Sequence, residues 1–261
     1  MIRIEKAVAL EARLKQCRNV LTLGVHPNFS DYTSEEADII RKTDKIFYPT
    51  LHYADLFDGM GKKTFPSYHT YKYVQDKIKQ TAIFDLLKLP HPKTHVFYGS
   101  RQKKKILEDF SFPFIAKIPR GSAMGRGVFL IRNEDELSVY TDMTNAAYIQ
   151  EYLPIDRDMR VVVIGKKVVH AYWRISRSDE FRSNVDKGAT ISLDPVPQPA
   201  IDLALRTAQL CRWDDVGIDI CCYKGQYYLF EANMKYGKQG FKAAGIDYIT
   251  LMEQLIDNGD I

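Results

Sequence analysis

The chain has 261 residues, with 37 lysines and arginines against 33 aspartates and glutamates, and 45% of it is hydrophobic. That is long enough for a sizeable core in one large or two small domains, and the net +4 with a pI near 8.7 suits an anionic ligand but is too small to argue for nucleic acid. No apolar run reaches the roughly 18 residues of a membrane helix, no signal peptide opens the chain, and Cys17, Cys211, Cys221 and Cys222 form no metal-spaced motif, so they read as reduced thiols of a cytoplasmic protein.

In chain order, apolar spacing predicts a helix over residues 4–17, a short strand over 20–25 and a helix opening at Ser34-Glu35-Glu36, with acids in its first turn. A strand over 45–49 and a helix over 53–60 follow, so strands and helices alternate in a small α/β unit. His26 and His52 are its candidates for touching a substrate. A helix is predicted from Tyr71 to Leu89, carrying Asp76-Lys77 and ended by Pro90 and Pro92. Next come a strand over 95–98, a helix over 101–109 whose Lys103-Lys104-Lys105 reads as a solvated face, and an apolar strand over 112–119 with Lys117 inside it.

The segment Gly121-Ser122-Ala123-Met124-Gly125-Arg126-Gly127 separates that strand from another over 128–131. A glycine-rich loop between strands can fold over phosphates and donate its backbone N–H groups, although many such loops are plain turns. A lysine buried in the strand before it is a second hint, because a buried ammonium must find a negative partner. A helix over 134–143, a strand over 147–153 and two strands over 159–175 joined at Gly165-Lys166 come after. Asp158, Arg160, Arg174 and Arg177 stand at the ends of those two strands. A polar loop at 181–188, a helix over 199–212, a glycine-punctuated loop at 237–245 and a helix over 248–257 complete the chain around one remaining stretch.

That stretch is Val216 to Asn233, VGIDICCYKGQYYLFEAN, two β-rich runs that turn at Lys224-Gly225. Glu231 and Asn233 are two apart and share a face. A two-residue loop would pair Asp219 with Phe230 and separate the carboxylates, whereas a three-residue loop, Lys224-Gly225-Gln226, pairs Asp219 with Glu231. The longer loop is preferred here, since it gathers Asp219, Glu231 and Asn233 on one face and puts Ile218, Ile220, Phe230 and Ala232 on the other. Two carboxylates and an amide oxygen are hard ligands suited to Mg²⁺ beside substrate phosphates.

The order of motifs is more specific than any one of them: a strand lysine, a glycine-rich loop, Gln150-Glu151-Tyr152, Arg174, FRSNVDKG at 181–188, then GIDI, FEAN and GKQGFKAAGID. This series resembles the ATP-grasp superfamily, most closely its RimK-like branch of glutamate ligases, from about Asp76 to about Asp257. The resemblance implies an ATP-grasp domain over 76–261, two α+β subdomains clasping ATP, and the alternating strands and helices before it are taken as a small α/β unit over 1–75. It implies that Lys117 and Lys77 contact the nucleotide, Lys117 near the phosphates, with the loop residues Gly121, Ser122, Gly125 and Gly127 closing over them. Gln150, Glu151 and Tyr152 would lie on the linker beside adenine, Asp158 on the ribose side, and Arg182, Ser183 and Asn184 in the nucleotide site. Asp219, Glu231 and Asn233 match the family's Mg²⁺ ligands, with Mn²⁺ as the alternative ion, and Arg174 would face the reacting groups.

The activity implied is ATP-dependent joining of a carboxylate to an amine through an acylphosphate, with an amino acid such as glutamate added to a protein, peptide or small-molecule acceptor. Lys117 and Arg174 would act in the chemistry. The chain departs from the family after Asn233, where Met234-Lys235-Tyr236 replaces a frequent Ser-Pro, and residues before 76 match no ligase substrate domain. A phosphotransferase acting on a hydroxyl and a non-catalytic nucleotide-binding protein are the alternative readings, and self-association is compatible with the chain without being specified by it.

Overall fold

The computed structural model describes residues 6–121, 127–176 and 189–261. Ser122, Gly125, Arg182, Ser183 and Asn184, all nucleotide-site expectations, lie outside the described residues. The first sheet contains β1 (Ala7–Ala9), β2 (Val20–Thr22), β3 (Lys45–Phe47) and β4 (Lys63–Phe65), all parallel and in the order β2-β1-β3-β4. Helices α1 (Ser34–Lys42) and α2 (Thr50–Gly59) connect its strands. Thr33 and Glu36 close a capping box at the start of α1.

Among the described residues, 6–17, the helix predicted over 4–17 is absent. Val8, Ala9 and Leu10 are consecutive and fully buried, which a helix face cannot do and a parallel strand flanked on both sides can. A single 3-10 turn, Ala12–Leu14, follows β1. The helix predicted over 71–89 is likewise interrupted, since α3 (Tyr68–Tyr71) and α4 (Lys77–Leu86) are separated by Gln75 at φ 53°. Asp76 caps α4 by accepting from Lys79 N, and this break makes Lys77 the first residue of the helix.

The second sheet is antiparallel, in the order β5-β8-β6-β7, from β5 (Thr94–Tyr98), β6 (Phe114–Lys117), β7 (Val128–Ile131) and β8 (Ala146–Glu151). The short helices α5 (Gly99–Lys103) and α6 (Ile106–Asp109), with α7 (Glu134–Met143), accompany it. The third sheet is also antiparallel, in the order β11-β10-β9-β12-β13. It comprises β9 (Arg157–Ile164), β10 (Lys167–Ile175), β11 (Thr190–Ser192), β12 (Asp215–Tyr223) and β13 (Gln226–Asn233), with α8 (Gln198–Cys211) before β12. The loop expected at 237–245 contains α9 (Gln239–Ala243), and α10 (Tyr248–Asp257) closes the fold.

Strand β9 explains how the layers meet. Val161 and Val163 enter one core with Ala200, Ala204 and Ala208 of α8, while Val162 and Ile164 enter another with Ala9, Phe47 and Met252. A central strand covered on both faces needs the unbroken apolar run that this one has. The third sheet therefore packs α8 on one side and the parallel unit with α10 on the other, leaving its polar positions at one end, toward the second sheet.

Candidate active site

The hairpin β12–β13 has a two-residue loop, not three: Tyr223 pairs with Gln226 around Lys224-Gly225, at φ 50° and 79°. The register then slips by one, so that Ile220 pairs with Leu229 but Asp219 pairs with Glu231. Phe230 is the extra residue of a β-bulge. The two carboxylates thus come opposite each other by a route the sequence reading did not foresee. Phe230 is displaced with them. It was placed with Ile218, Ile220 and Ala232 on the far face, but it lines the cleft beside Glu231, while those three stay in the core.

That cleft lies between the second and third sheets. Ile115, Val128, Leu153 and Phe230 form its apolar side, and Lys117, Asp158, Arg174, Asp219 and Glu231 its polar end. Gln150, Glu151 and Tyr152 line the segment that joins the two sheets. Gln150 donates to Thr94 Oγ1 at 2.9 Å, and Glu151 Oε1 accepts from Lys93 N at 2.6 Å, so both side chains are fixed across to β5. Gly121 and Gly127 frame the glycine-rich segment at φ 67° and 68°, and Ile118 N donates to Gly127 O at 2.7 Å. His26 and His52 are not among the cleft residues; His26 packs edge-on against Tyr32 within the parallel unit.

The polar end is a ladder of buried charges. Arg174 donates to Asp158 from Nε and Nη2 at 2.7 Å each, and its Nη2 reaches Asp219 Oδ2 at 2.9 Å. Arg160 makes a second bidentate pair, from Nε to Asp219 Oδ1 and from Nη2 to Oδ2 at 2.9 Å. Asn233 Nδ2 donates to the same Oδ2 at 3.0 Å. Burial alone would raise the Asp219 carboxyl, but Arg160 and then Arg174 hold it below the usual carboxylate range. Burial opposes the Arg174 charge in turn, and Asp158 and Asp219 more than offset this.

Lys77 Nζ lies 2.9 Å from Glu231 Oε1. Lys117 is buried rather than snorkelling outward; burial lowers its pKa to about 8, with Glu231 opposing and Lys77 adding to the shift. Its ammonium lies 5.7 Å from the Tyr148 ring centroid and 5.9 Å from that of Phe230. Lys77, Lys117, Arg160 and Arg174 face three carboxylates, Asp158, Asp219 and Glu231, so the end of the cleft carries one surplus positive charge. Such a surplus in a partly dry cleft attracts a polyphosphate.

Among the described residues no group of three or more His, Cys, Asp and Glu side chains could hold a metal. The pair Asp219 and Glu231 with Asn233 still fits Mg²⁺, which uses one or two carboxylates and takes its other oxygens from phosphates and water. Asp219 would share its oxygens between such an ion and two guanidiniums.

The sequence pattern alone does not mark Arg160, nor the apolar cleft residues Ile115, Val128, Leu153 and Phe230, as site components. Arg160 was noted only as a basic group at a strand end, yet it is the main partner of Asp219. Gly217 lets it reach: a Cβ there would lie 2.8 Å from Arg160 Cδ and 3.1 Å from Tyr236 Cβ. The alternation Ile115, Lys117 in β6 was available to mark Ile115 as a cleft residue. The bulge that turns Phe230 had no counterpart signal.

The chain is similar in sequence and in fold to known proteins. The chain is 31% identical over 212 residues to coenzyme gamma-F420-2:alpha-L-glutamate ligase of Methanocaldococcus jannaschii, covering 78% of this chain and 73% of that one. It is 28% identical over 152 residues to the ribosomal protein bS6–L-glutamate ligase of Salmonella paratyphi B, covering 56% of this chain and half of that one's length. The RimK domain ATP-grasp protein of Sphaerobacter thermophilus has the same fold, with a TM-score of 0.70 at 14% identity over 95% of this chain and 98% of that one. The RimK-like ATP-grasp domain matches residues 74–257. With a buried lysine, an apolar slot and an acidic hairpin assembled in one cleft, the chain belongs to the RimK-like ATP-grasp family, a family of ATP-dependent ligases that form carbon–nitrogen bonds.

Proposed function

We propose that this protein activates a carboxylate with ATP and joins it to the amine of an amino acid, glutamate first among the candidates. The observation that carries the reading is the cleft itself, where an apolar slot at Ile115, Val128, Leu153 and Phe230 runs into a charged end at Lys117, Arg174, Asp219 and Glu231. A planar base fits the slot, and the phosphates then fall among the cations. Glu151 and Tyr152, on the segment between the two sheets, would lie beside the base.

Lys117 and Lys77 offset the charge of the phosphate oxygens as the substrate carboxylate attacks the γ-phosphorus and ADP leaves. The product of that step is an acylphosphate. The amine then attacks its carbonyl carbon, loses a proton and expels phosphate, forming the amide. Arg174, held by Asp158, stabilises the oxyanion of this second step. Asp219, Glu231 and Asn233 would hold Mg²⁺ or Mn²⁺, which when bound screens the phosphate oxygens from the incoming anion. Glutamate is favoured because two relatives are named for ligating it.

The test is a screen of amino acids and of carboxylate acceptors for release of ADP and phosphate. The reading predicts equal amounts of both, with an amide of matching mass. Release of ADP with a phosphorylated alcohol would assign the protein as a phosphotransferase instead.

A further inference from the structure

Among the described residues no strand lies beyond β13 in its sheet. The outward backbone groups of an end strand need partners from elsewhere, because a buried peptide group left unpaired is costly. The chain around α4 supplies them on both sides of the bulge at Phe230. Before the bulge, Leu229 N donates to Pro90 O at 2.9 Å. After it, Ala232 N donates to Gln80 Oε1 at 2.9 Å, and Gln80 Nε2 donates back to Ala232 O at 2.8 Å. A side-chain amide thus makes with Ala232 the reciprocal pair of bonds that a neighbouring antiparallel strand would make. The other proton of Nε2 goes to Tyr73 O at 2.9 Å. Gln80 is buried, and its amide orientation follows from Ala232, whose N–H must meet an acceptor and whose C=O must meet a donor.

Ala232 stands between two of the candidate cation ligands. Its methyl group lies in the core, so the side chains of Glu231 and Asn233 point the other way, Glu231 into the cleft and Asn233 to Asp219. Fixing the peptide groups of Ala232 therefore fixes both directions at once. A bulge lets a strand bend where it occurs, so the end of β13 that carries these ligands depends on contacts from outside the ladder. Helix α4 provides them from one face, since Lys77, Gln80 and Thr81 are spaced i, i+3 and i+4. Lys77 reaches Glu231, and Thr81 Oγ1 lies 2.6 Å from the hydroxyl of Tyr148, whose ring lies beside the Lys117 ammonium. The same buried face thus supports the acidic hairpin and the ring beneath the lysine opposite it.

We propose that Gln80 is a positioning residue for the ligation: its amide holds the Ala232 peptide groups so that Glu231 and Asn233 present their oxygens to a divalent cation bound with the nucleotide phosphates. Gln80 acts through β13 and touches neither the cation nor the substrate. The inference rests on the cation and nucleotide assignments of the ligase reading above, and not on the identity of the acid or the amine. Groups that orient metal ligands from behind are typically worth 10- to 100-fold in metal affinity.

The test is Mn²⁺ binding by the full chain in the presence of ADP, followed by electron paramagnetic resonance, so that no turnover is needed. Gln80→Met keeps a side chain of similar length but none of its hydrogen bonds. It should weaken Mn²⁺ binding roughly 10- to 100-fold, while ADP binding without metal stays the same. Gln80→Asn, one methylene shorter, keeps a buried amide that no longer spans to Ala232 and should show the same loss. Phe84→Leu, one turn further along α4 in the core, is the control for general loosening; it should lower the melting temperature and leave Mn²⁺ binding unchanged. If neither Gln80 variant folds, amide exchange in the wild type decides, since the Ala232 N–H should exchange as slowly as those of β12. Rapid exchange there, unchanged Mn²⁺ affinity in both Gln80 variants, or an equal loss in Phe84→Leu would overturn the assignment and leave the ligase reading standing. A wild type that binds ADP but no Mn²⁺ beside it would remove the cation site and this inference with it. If instead no acid stimulates ADP release but the Mn²⁺ results hold, the ligase reading falls and the role of Gln80 at the cation site stands.

Discussion

A Cβ at Gly217 would lie 2.8 Å from Arg160 Cδ, 3.1 Å from Tyr236 Cβ and 3.3 Å from Tyr236 Cγ. Neither neighbour is free to move. Arg160 is held by two bonds to Asp219, and Tyr236 by a 2.6 Å bond from its hydroxyl to Asp215. Gly217→Ala must therefore push the guanidinium off its partner or shift β12. Overpacking of this kind costs about 1–3 kcal/mol, and full separation of a buried ion pair about 3–5 kcal/mol. Against this stands a gain of about 0.4–1 kcal/mol from a less flexible unfolded chain. The net expectation is a loss of about 1–3 kcal/mol, or roughly 2–10 °C in melting temperature for a chain of this size. Gly59→Ala is the control, because nothing lies within 4 Å of its Cβ position. Thermal melts of both variants decide the matter, and a Gly217→Ala protein as stable as the wild type would refute the argument that Arg160 needs this gap.

Asp215 is raised to about 6, first by burial, so its folded value lies above its ordinary 3.8. The stability this contributes is complete below the unfolded value and is lost as pH rises through about 6. Asp215→Asn should thus gain in melting temperature relative to the wild type between pH 4 and 7, and a constant difference across that range would count against the assignment. Lys117→Ala removes a buried ammonium whose pKa is about 8; calorimetric ATP affinity should fall at least about tenfold with the melting temperature unchanged or higher. Unaltered affinity would mean that this lysine does not touch the nucleotide. Asp219→Asn strips the charge that Arg160 and Arg174 share, and should destabilise the fold by about 3–5 kcal/mol as well as suppressing activity. Glu231→Gln, which loses the charge facing Lys77 and Lys117 but no guanidinium pair, should instead raise the Mg²⁺ concentration needed for half-maximal rate and cost less stability than Asp219→Asn; the reverse ranking in melts would contradict the ion-pair ladder.

The family and the acidic hairpin were legible because they depend on residue types at fixed spacing, GIDI and FEAN among them. What was not legible came from tertiary competition. The loop at Lys224-Gly225 was read one residue too long, because nothing in YYLFEAN marks Phe230 as the extra residue of a bulge. The two readings reach the same pairing of Asp219 with Glu231 but place Phe230 on different faces. Residues 7–9 carry apolar spacing that a helix would also accept, and only neighbours on both sides make them a strand. Arg160 becomes a partner of Asp219 by crossing beside Gly217 from an adjacent strand, a contact with no local signature.

The central claim is an acylphosphate intermediate, and hydroxylamine tests it most directly. The protein is incubated with ATP, Mg²⁺, hydroxylamine and each of a panel of carboxylic acids, amino acids and peptides among them, and hydroxamate is measured beside ADP. Hydroxylamine stands in for the amine and attacks the activated carbonyl. The account predicts hydroxamate in step with ADP for the true substrate, dependent on Mg²⁺ and lowered on the order of 100-fold by Arg174→Ala. ADP release from a carboxylate substrate with no hydroxamate and no amide, at any hydroxylamine concentration, would contradict it.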